Sequence, residues 1–210
     1  MTTPGPDYIF ECPKCKGIIK RESIGSGNTI GIRQYSDGYQ DLPMLPSFPN
    51  LTKCESCGFI LFLDDLKPVD YYNKYYDDPN PKYDEIEYGK FLDIYDHLKT
   101  LKIYPEREKF IRHMIWWGFN DRIRENKEIF INENDKIIWK ENCEKLIELL
   151  DFDDINEKIM ISELHRNLGN FDICIELIES LPKDFDFFKK PFIEKCITKD
   201  RCVFEIDISE

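Results

Sequence analysis

Of the eight cysteines in the chain, four fall in two pairs, Cys12-Pro13-Lys14-Cys15 and Cys54-Glu55-Ser56-Cys57. Two residues between cysteines fold into a tight turn that aims both sulfurs at one point, and two such knuckles complete a tetrahedral site of four thiolates. Each pair is followed within two residues by a glycine, Gly17 or Gly58, which lets the backbone turn back with its amides toward the sulfurs. Four thiolates suit Zn2+ and leave no position for water, so one structural zinc per chain is expected, held by Cys12, Cys15, Cys54 and Cys57. A redox dithiol or a disulfide is the alternative. Thioredoxin-like chemistry needs a strand before the motif and a helix after it, and Lys16-Gly17-Ile18-Ile19 opens no helix.

The knuckles need strands to hold them, and Phe10 before the first pair and Phe59-Ile60-Leu61-Phe62 after the second read as such strands. With these flanks, residues of roughly 8–64 resemble a zinc ribbon, a resemblance that implies a small β-rich module stabilised by its metal. The departure is the distance between the pairs: 38 residues separate Cys15 from Cys54, against the common ~15–20. The excess is an insertion with three features. Residues 23–31 are glycine-rich and read as a flexible loop or bulged strand, with anion binding as the sharper alternative, although no P-loop lysine follows. Tyr35-Ser36-Asp37-Gly38-Tyr39 predicts a type I′ hairpin. Residues 43–49 interleave three prolines with apolar residues and predict an extended segment packed between two modules, or a peptide-like docking surface.

The chain divides by composition near residue 81. Nine of its 12 prolines and seven of its 10 glycines precede residue 82, and Asp77-Asp78-Pro79-Asn80-Pro81 reads as a linker or sharp turn. Residues 1–81 are therefore expected to form the ribbon module and 82–210 a helical domain, giving an α+β protein. Apolar spacings of three and four predict helices over about 84–102, 105–125, 134–150, 156–168 and 170–181. Pro105 stands at the first-turn position of the second, with Glu106 and Glu108 at its positive end. The tail 201–206 is expected as a short strand or an extended segment docked on the helices.

Leu168-Gly169-Asn170-Phe171 joins the last two of these helices, Ser162 and Cys174 supply small side chains where they approach, and Leu181-Pro182 ends the second. This stretch resembles a tetratricopeptide repeat (TPR), with cysteine where that family has alanine. The resemblance covers one repeat, and a stable solenoid needs about three, so the other helices are expected to be degenerate repeats or a different bundle. The reading is an antiparallel, TPR-like α-helical domain. The whole order, knuckles, insertion, then helices carrying Trp116-Trp117 and Arg166-Asn167-Leu168-Gly169-Asn170-Phe171, also resembles an uncharacterised family of bacterial proteins, which implies no activity.

Charge and motif content narrow the function. The net charge is -12, and residues 1–62 carry six basic against six acidic residues, so nucleic acid is not the favoured partner despite the basic edge of Lys14, Lys16, Lys20 and Arg21. No apolar run spans a bilayer and the N-terminus has no leader pattern, so a soluble, cytoplasmic protein without membrane contact is expected. His-Glu-x-x-His, Gly-x-Ser-x-Gly and Walker patterns are absent. Asp93, Asp96 and His97 read as a solvated helix flank, His165 as a packing residue, and Cys143, Cys174, Cys196 and Cys202 as free thiols. The expectation is a non-enzymatic adaptor that binds another protein through a helical surface near His113, Trp116, Trp117 and Trp139. Of the first three, one tryptophan is expected in the core. The alternative is an enzyme or nucleic-acid-associated factor with its site where ribbon and helices join.

Overall fold

A computed structural model describes residues 2–46, 48, 50–73, 94, 95, 98 and 104–207. The fold is α+β: an N-terminal antiparallel β region carrying the two Cys-x-x-Cys turns, then a helical region with five helices from Pro105 on among the described residues. Two compact units divide the chain, Met1–Ile32 with Asp41–His97, and Arg33–Gln40 with Leu98–Glu210. The expected boundary at 81/82 lies outside the described residues. So does most of the expected helix 84–102, of which Ile94, Tyr95 and Leu98 are helical, and so do Asp93, Asp96 and His97.

In the first unit β2 (Asp7–Glu11) is the centre of a three-stranded antiparallel sheet, with β3 (Ile18–Arg21) on one side and β9 (Asp70–Tyr72) on the other. A second pair, β7 (Leu51–Lys53) and β8 (Ile60–Phe62), flanks the second knuckle. A short pair, β1 (Thr3–Pro4) with β4 (Ile24–Ser26), closes the N-terminus. Phe10, Ile19, Leu61 and Leu63 form one buried cluster together with Cys12 and Cys54, and Tyr8, Phe59 and Leu66 pack against it. A core this small contributes little stability by itself.

Hydrogen bonds inside the insertion tie down part of the glycine-rich loop. The Asn28 amide donates to Met44 O, the Ile30 amide to Asn28 Oδ1 and the Ile32 amide to Thr29 O. A Cβ on Gly27 would press against Leu45 Cδ1 and the Met44 carbonyl, so this glycine is required by close approach. Residues 42–45, expected to be extended, instead make a turn closed by Leu45 N–H to Leu42 O at 2.9 Å.

In the second unit the helices are α1 (Pro105–Arg124), α2 (Glu133–Leu149), α3 (Ile155–Leu168), α4 (Phe171–Glu179) and α5 (Asp186–Ile197). Their ends follow local chemistry. Pro105 opens α1, and the side chains of Asn132 and Asp154 accept from Asp135 N and Glu157 N at 2.9 Å to cap α2 and α3. Gly169, at φ +89°, turns the chain out of α3 while Asn170 N donates to His165 O. Successive helices pack as pairs, α1 on α2, α3 on α4 and α4 on α5. Helix α5 was not expected from sequence, because Pro191 inside it removes a backbone donor and interrupts the reading.

The hairpin of β5 (Arg33–Tyr35) and β6 (Gln40–Asp41) joins the C-terminal strand β10 (Glu205–Ile206), which pairs antiparallel to β5. The tail is thus a strand. Its loop differs from the type I′ expectation: Tyr35 N donates to Tyr39 O, Gly38 N to Tyr35 O, and Gly38, at +79°, has positive φ whereas Asp37 does not. This is a three-residue loop with one left-handed glycine. That conformation frees the Asp37 carboxylate to accept from Asn120 Nδ2 at 2.8 Å and to pair with the Arg124 guanidinium.

Candidate metal centre

The two knuckles are built alike. Cys12 N donates to Gly17 O and Lys16 N to Cys12 O; Cys54 N donates to Phe59 O and Gly58 N to Cys54 O. The left-handed residue is the fourth after the first cysteine in both, Lys16 at φ +65° and Gly58 at +69°. Glycine is thus present where the turn demands it in one knuckle, and lysine bears the strain in the other. Gly17 serves closeness instead: a Cβ there would lie 2.8 Å from Ser56 Oγ and 3.3 Å from Cys15 Sγ. Its own N–H points at Cys15 Sγ, 3.4 Å away. Sequence spacing named the four cysteines; the matching role of Lys16 and the approach of Ser56 carry no sequence signal.

All four Sγ atoms lie within 4.8 Å of one another. Two cross-knuckle separations are 3.8 Å for Cys12 to Cys57 and 3.6 Å for Cys15 to Cys54. A tetrahedron with Zn–S bonds of about 2.3 Å places its sulfurs about 3.8 Å apart, so the donor set matches one tetrahedral ion. Cys12 and Cys54 are buried, Cys57 half-buried and Cys15 exposed. Burial would raise the Cys12 thiol, but the backbone N–H groups of Cys15 and Lys14 bring it down to about 7, while burial pushes Cys54 up to about 12. Among the described residues this is the single group of three or more histidine, cysteine or acidic side chains gathered for a metal.

The basic edge of the first unit is largely paired. Lys16 meets Glu11 at 2.8 Å, Lys20 meets Asp7 at 3.6 Å, and Arg21 meets Asp64 at 3.5 Å while lying over the Tyr8 and Phe10 rings. Lys14 lies over Phe59.

In the helical unit the four aromatic candidates do not make an open surface. Trp116 is fully buried and its indole N–H donates to Asn167 Oδ1 at 2.9 Å. Trp117 is half-buried, donating to Asp37 O at 3.0 Å and packing edge-on to Tyr39. His113 packs edge-on to Trp117 at 4.2 Å, and burial lowers it to about 4. Trp139 is buried against Phe130. The hairpin of residues 33–40 covers the α1 face that was expected to stay open. His165 is half-buried beside Asn170. Cys143, Cys174 and Cys196 are buried free thiols, and Cys202 is exposed.

Below the hairpin lies a buried polar network that sequence reasoning missed. Glu163 and Arg166 are both completely buried and paired, Ser36 Oγ and Asn167 Nδ2 donate to Glu163 Oε1, and Arg166 donates to the Asp200 and Cys202 carbonyls. Their i, i+3 spacing was legible, but identical spacing on an exposed face would mean a surface pair. Among the described residues no helix is long and apolar enough to cross a membrane. Neither a family model, nor a curated protein, nor a solved structure matches this chain.

Proposed function

We propose that Cys12, Cys15, Cys54 and Cys57 hold one structural zinc ion, and that the protein is a non-enzymatic adaptor whose TPR-like helical unit presents a surface to another protein. The observation that carries the zinc reading is the gathering of four Sγ atoms within 4.8 Å, from two similarly folded knuckles. A closed four-thiolate ion orders a fold and binds no substrate. The adaptor reading is supported by apolar side chains left outward on the helices and their connections, including Ile131, Ile137, Phe187 and Ile197, which are 49–75% exposed.

Two measurements test the two halves. Elemental analysis of protein purified without added metal, with thiol titration before and after chelation, should give about one zinc per chain, and the four knuckle thiols should react only once the chelator is present. Metal-free protein with reversibly oxidising Cys12 and Cys15 overturns the zinc assignment. For the adaptor, affinity capture should retain a partner that is lost on Ile131→Asp with Ile137→Asp, or on Phe187→Asp with Ile197→Asp, while zinc content and helicity stay unchanged. Retention indifferent to both pairs rejects a helical docking surface.

A further inference from the structure

The helical unit contains a cavity of about 370 Å³, within the size range of small-ligand sites. Its apolar wall includes Ile123 from α1, Phe130 from the connection to α2, and Trp139 from α2. Phe130 and Trp139 meet edge to face, with centroids 5.3 Å apart at 71°, so they form an aromatic corner. The indole N–H of Trp139 is buried and finds no acceptor among the described residues. An orphaned donor of this kind is uncommon and disfavoured in a finished interior.

The polar lining is cationic. Lys136 and Lys140, one helical turn apart on α2, and Arg201 from the C-terminal segment line the cavity, and none of its lining residues is acidic. In a chain with 41 acidic against 29 basic residues, three cations without a carboxylate form a local reversal of charge. Lys140 has only a long, exposed approach to Glu144 at 3.8 Å. The wall is also held in place: Asn167 accepts from the buried Trp116 indole and donates to Arg201 O, which pins the segment bearing Arg201 to α3.

We propose that this cavity is a binding site for a small organic anion, an aromatic or similarly flat apolar body carrying one acid group. The body lies against Phe130, Trp139 and Ile123, and the acid group is held by Lys136, Lys140 and Arg201. An inorganic anion would leave the apolar wall wet, and a neutral ring would leave the cations without a counter-charge. The site lies wholly in the helical unit and is independent of the zinc assignment.

The test uses the full chain as purified and two probes of nearly equal shape, 2-naphthoate and its neutral counterpart 2-naphthamide, followed by calorimetry and by ligand-observed NMR. The expected result is saturable, one-to-one binding of 2-naphthoate, with 2-naphthamide about tenfold weaker, the scale of one charge-assisted hydrogen bond. Lys136→Gln with Lys140→Gln, both exposed positions that leave the fold intact, should weaken 2-naphthoate by about tenfold or more and 2-naphthamide little. Trp139→Phe should weaken both probes. Absence of saturable binding overturns the proposal, as does equal binding of acid and amide, or binding of 2-naphthoate unchanged by the lysine pair.

Discussion

Lys16 and Gly58 occupy equivalent left-handed positions in the two knuckles, and that equivalence makes single-residue predictions possible. A non-glycine residue in this conformation costs about 1–2 kcal/mol, while glycine adds about 0.4–1 kcal/mol of unfolded-chain entropy. Lys16→Gly is therefore expected to stabilise the protein by roughly 0.5 kcal/mol, and Gly58→Ala to destabilise it by about 1 kcal/mol, both read from chemical unfolding. The opposite ordering would show that the two turns are not equivalent. Cys54→Ser should abolish stoichiometric zinc, since three thiolates and a weakly donating hydroxyl no longer close the site. Gly17→Ala should lower zinc affinity without abolishing it, because its methyl must displace Ser56 and crowd Cys15 Sγ.

The element with the greatest consequence is the hairpin of residues 33–40. Asp37, in its loop, is fully buried and pairs with Arg124, which lies over the rings of Tyr35 and Tyr39 at 4.8 and 4.3 Å. Removing one member of such a pair strands the other charge in the interior, at a cost of about 3–5 kcal/mol. Asp37→Ala is expected to lower the stability of the helical unit by that amount. The probe is tryptophan fluorescence in a urea titration, since Trp116, Trp117 and Trp139 all belong to this unit. Asp37→Asn, which keeps an oxygen for Asn120, should lose less. A loss under 1 kcal/mol for Asp37→Ala would mean that the hairpin is only loosely held.

For the molecule as a whole, pH and chain division carry the predictions. His113 is lowered by burial from 6.5 to about 4, with Asp37 and Glu157 opposing that shift and Lys109 adding to it. The unfolded chain thus takes up a proton near pH 6.5 that the folded chain refuses until about pH 4. This contribution is complete above pH 6.5 and is lost as the pH falls through that window. Between pH 7.5 and 5 it amounts to about 2 kcal/mol. His113→Phe should flatten the pH dependence by that much, and an unchanged slope would place the imidazole in contact with water. A fragment of residues 82–210 lacks Ser36 and Asp37, so Glu163, Asn120 and Arg124 lose partners. It is expected to be several kcal/mol less stable than the same helices in the intact chain, compared by urea unfolding.

What the sequence alone determined were features set by neighbours along the chain. The Cys-x-x-Cys turns, the strands beside them, the helix end at Gly169 and the spans of four helices within one or two residues all follow from local spacing and backbone chemistry. The α+β class followed from their order. Tertiary structure decided what depends on distant partners. Asp37-Gly38 reads as a turn in any context, but only packing makes its carboxylate the buried counter-ion of Arg124, more than eighty residues away. Glu163 and Arg166 have the spacing of a surface pair and are completely buried, because Ser36 and the carbonyls of Asp200 and Cys202 complete their hydrogen bonds. One of Trp116 and Trp117 was expected in the core, and packing selects Trp116; Trp139, expected near an exposed groove, lies in the interior as well. Hydrophobic burial is set by which faces meet, and no spacing along one segment specifies the segment that covers it.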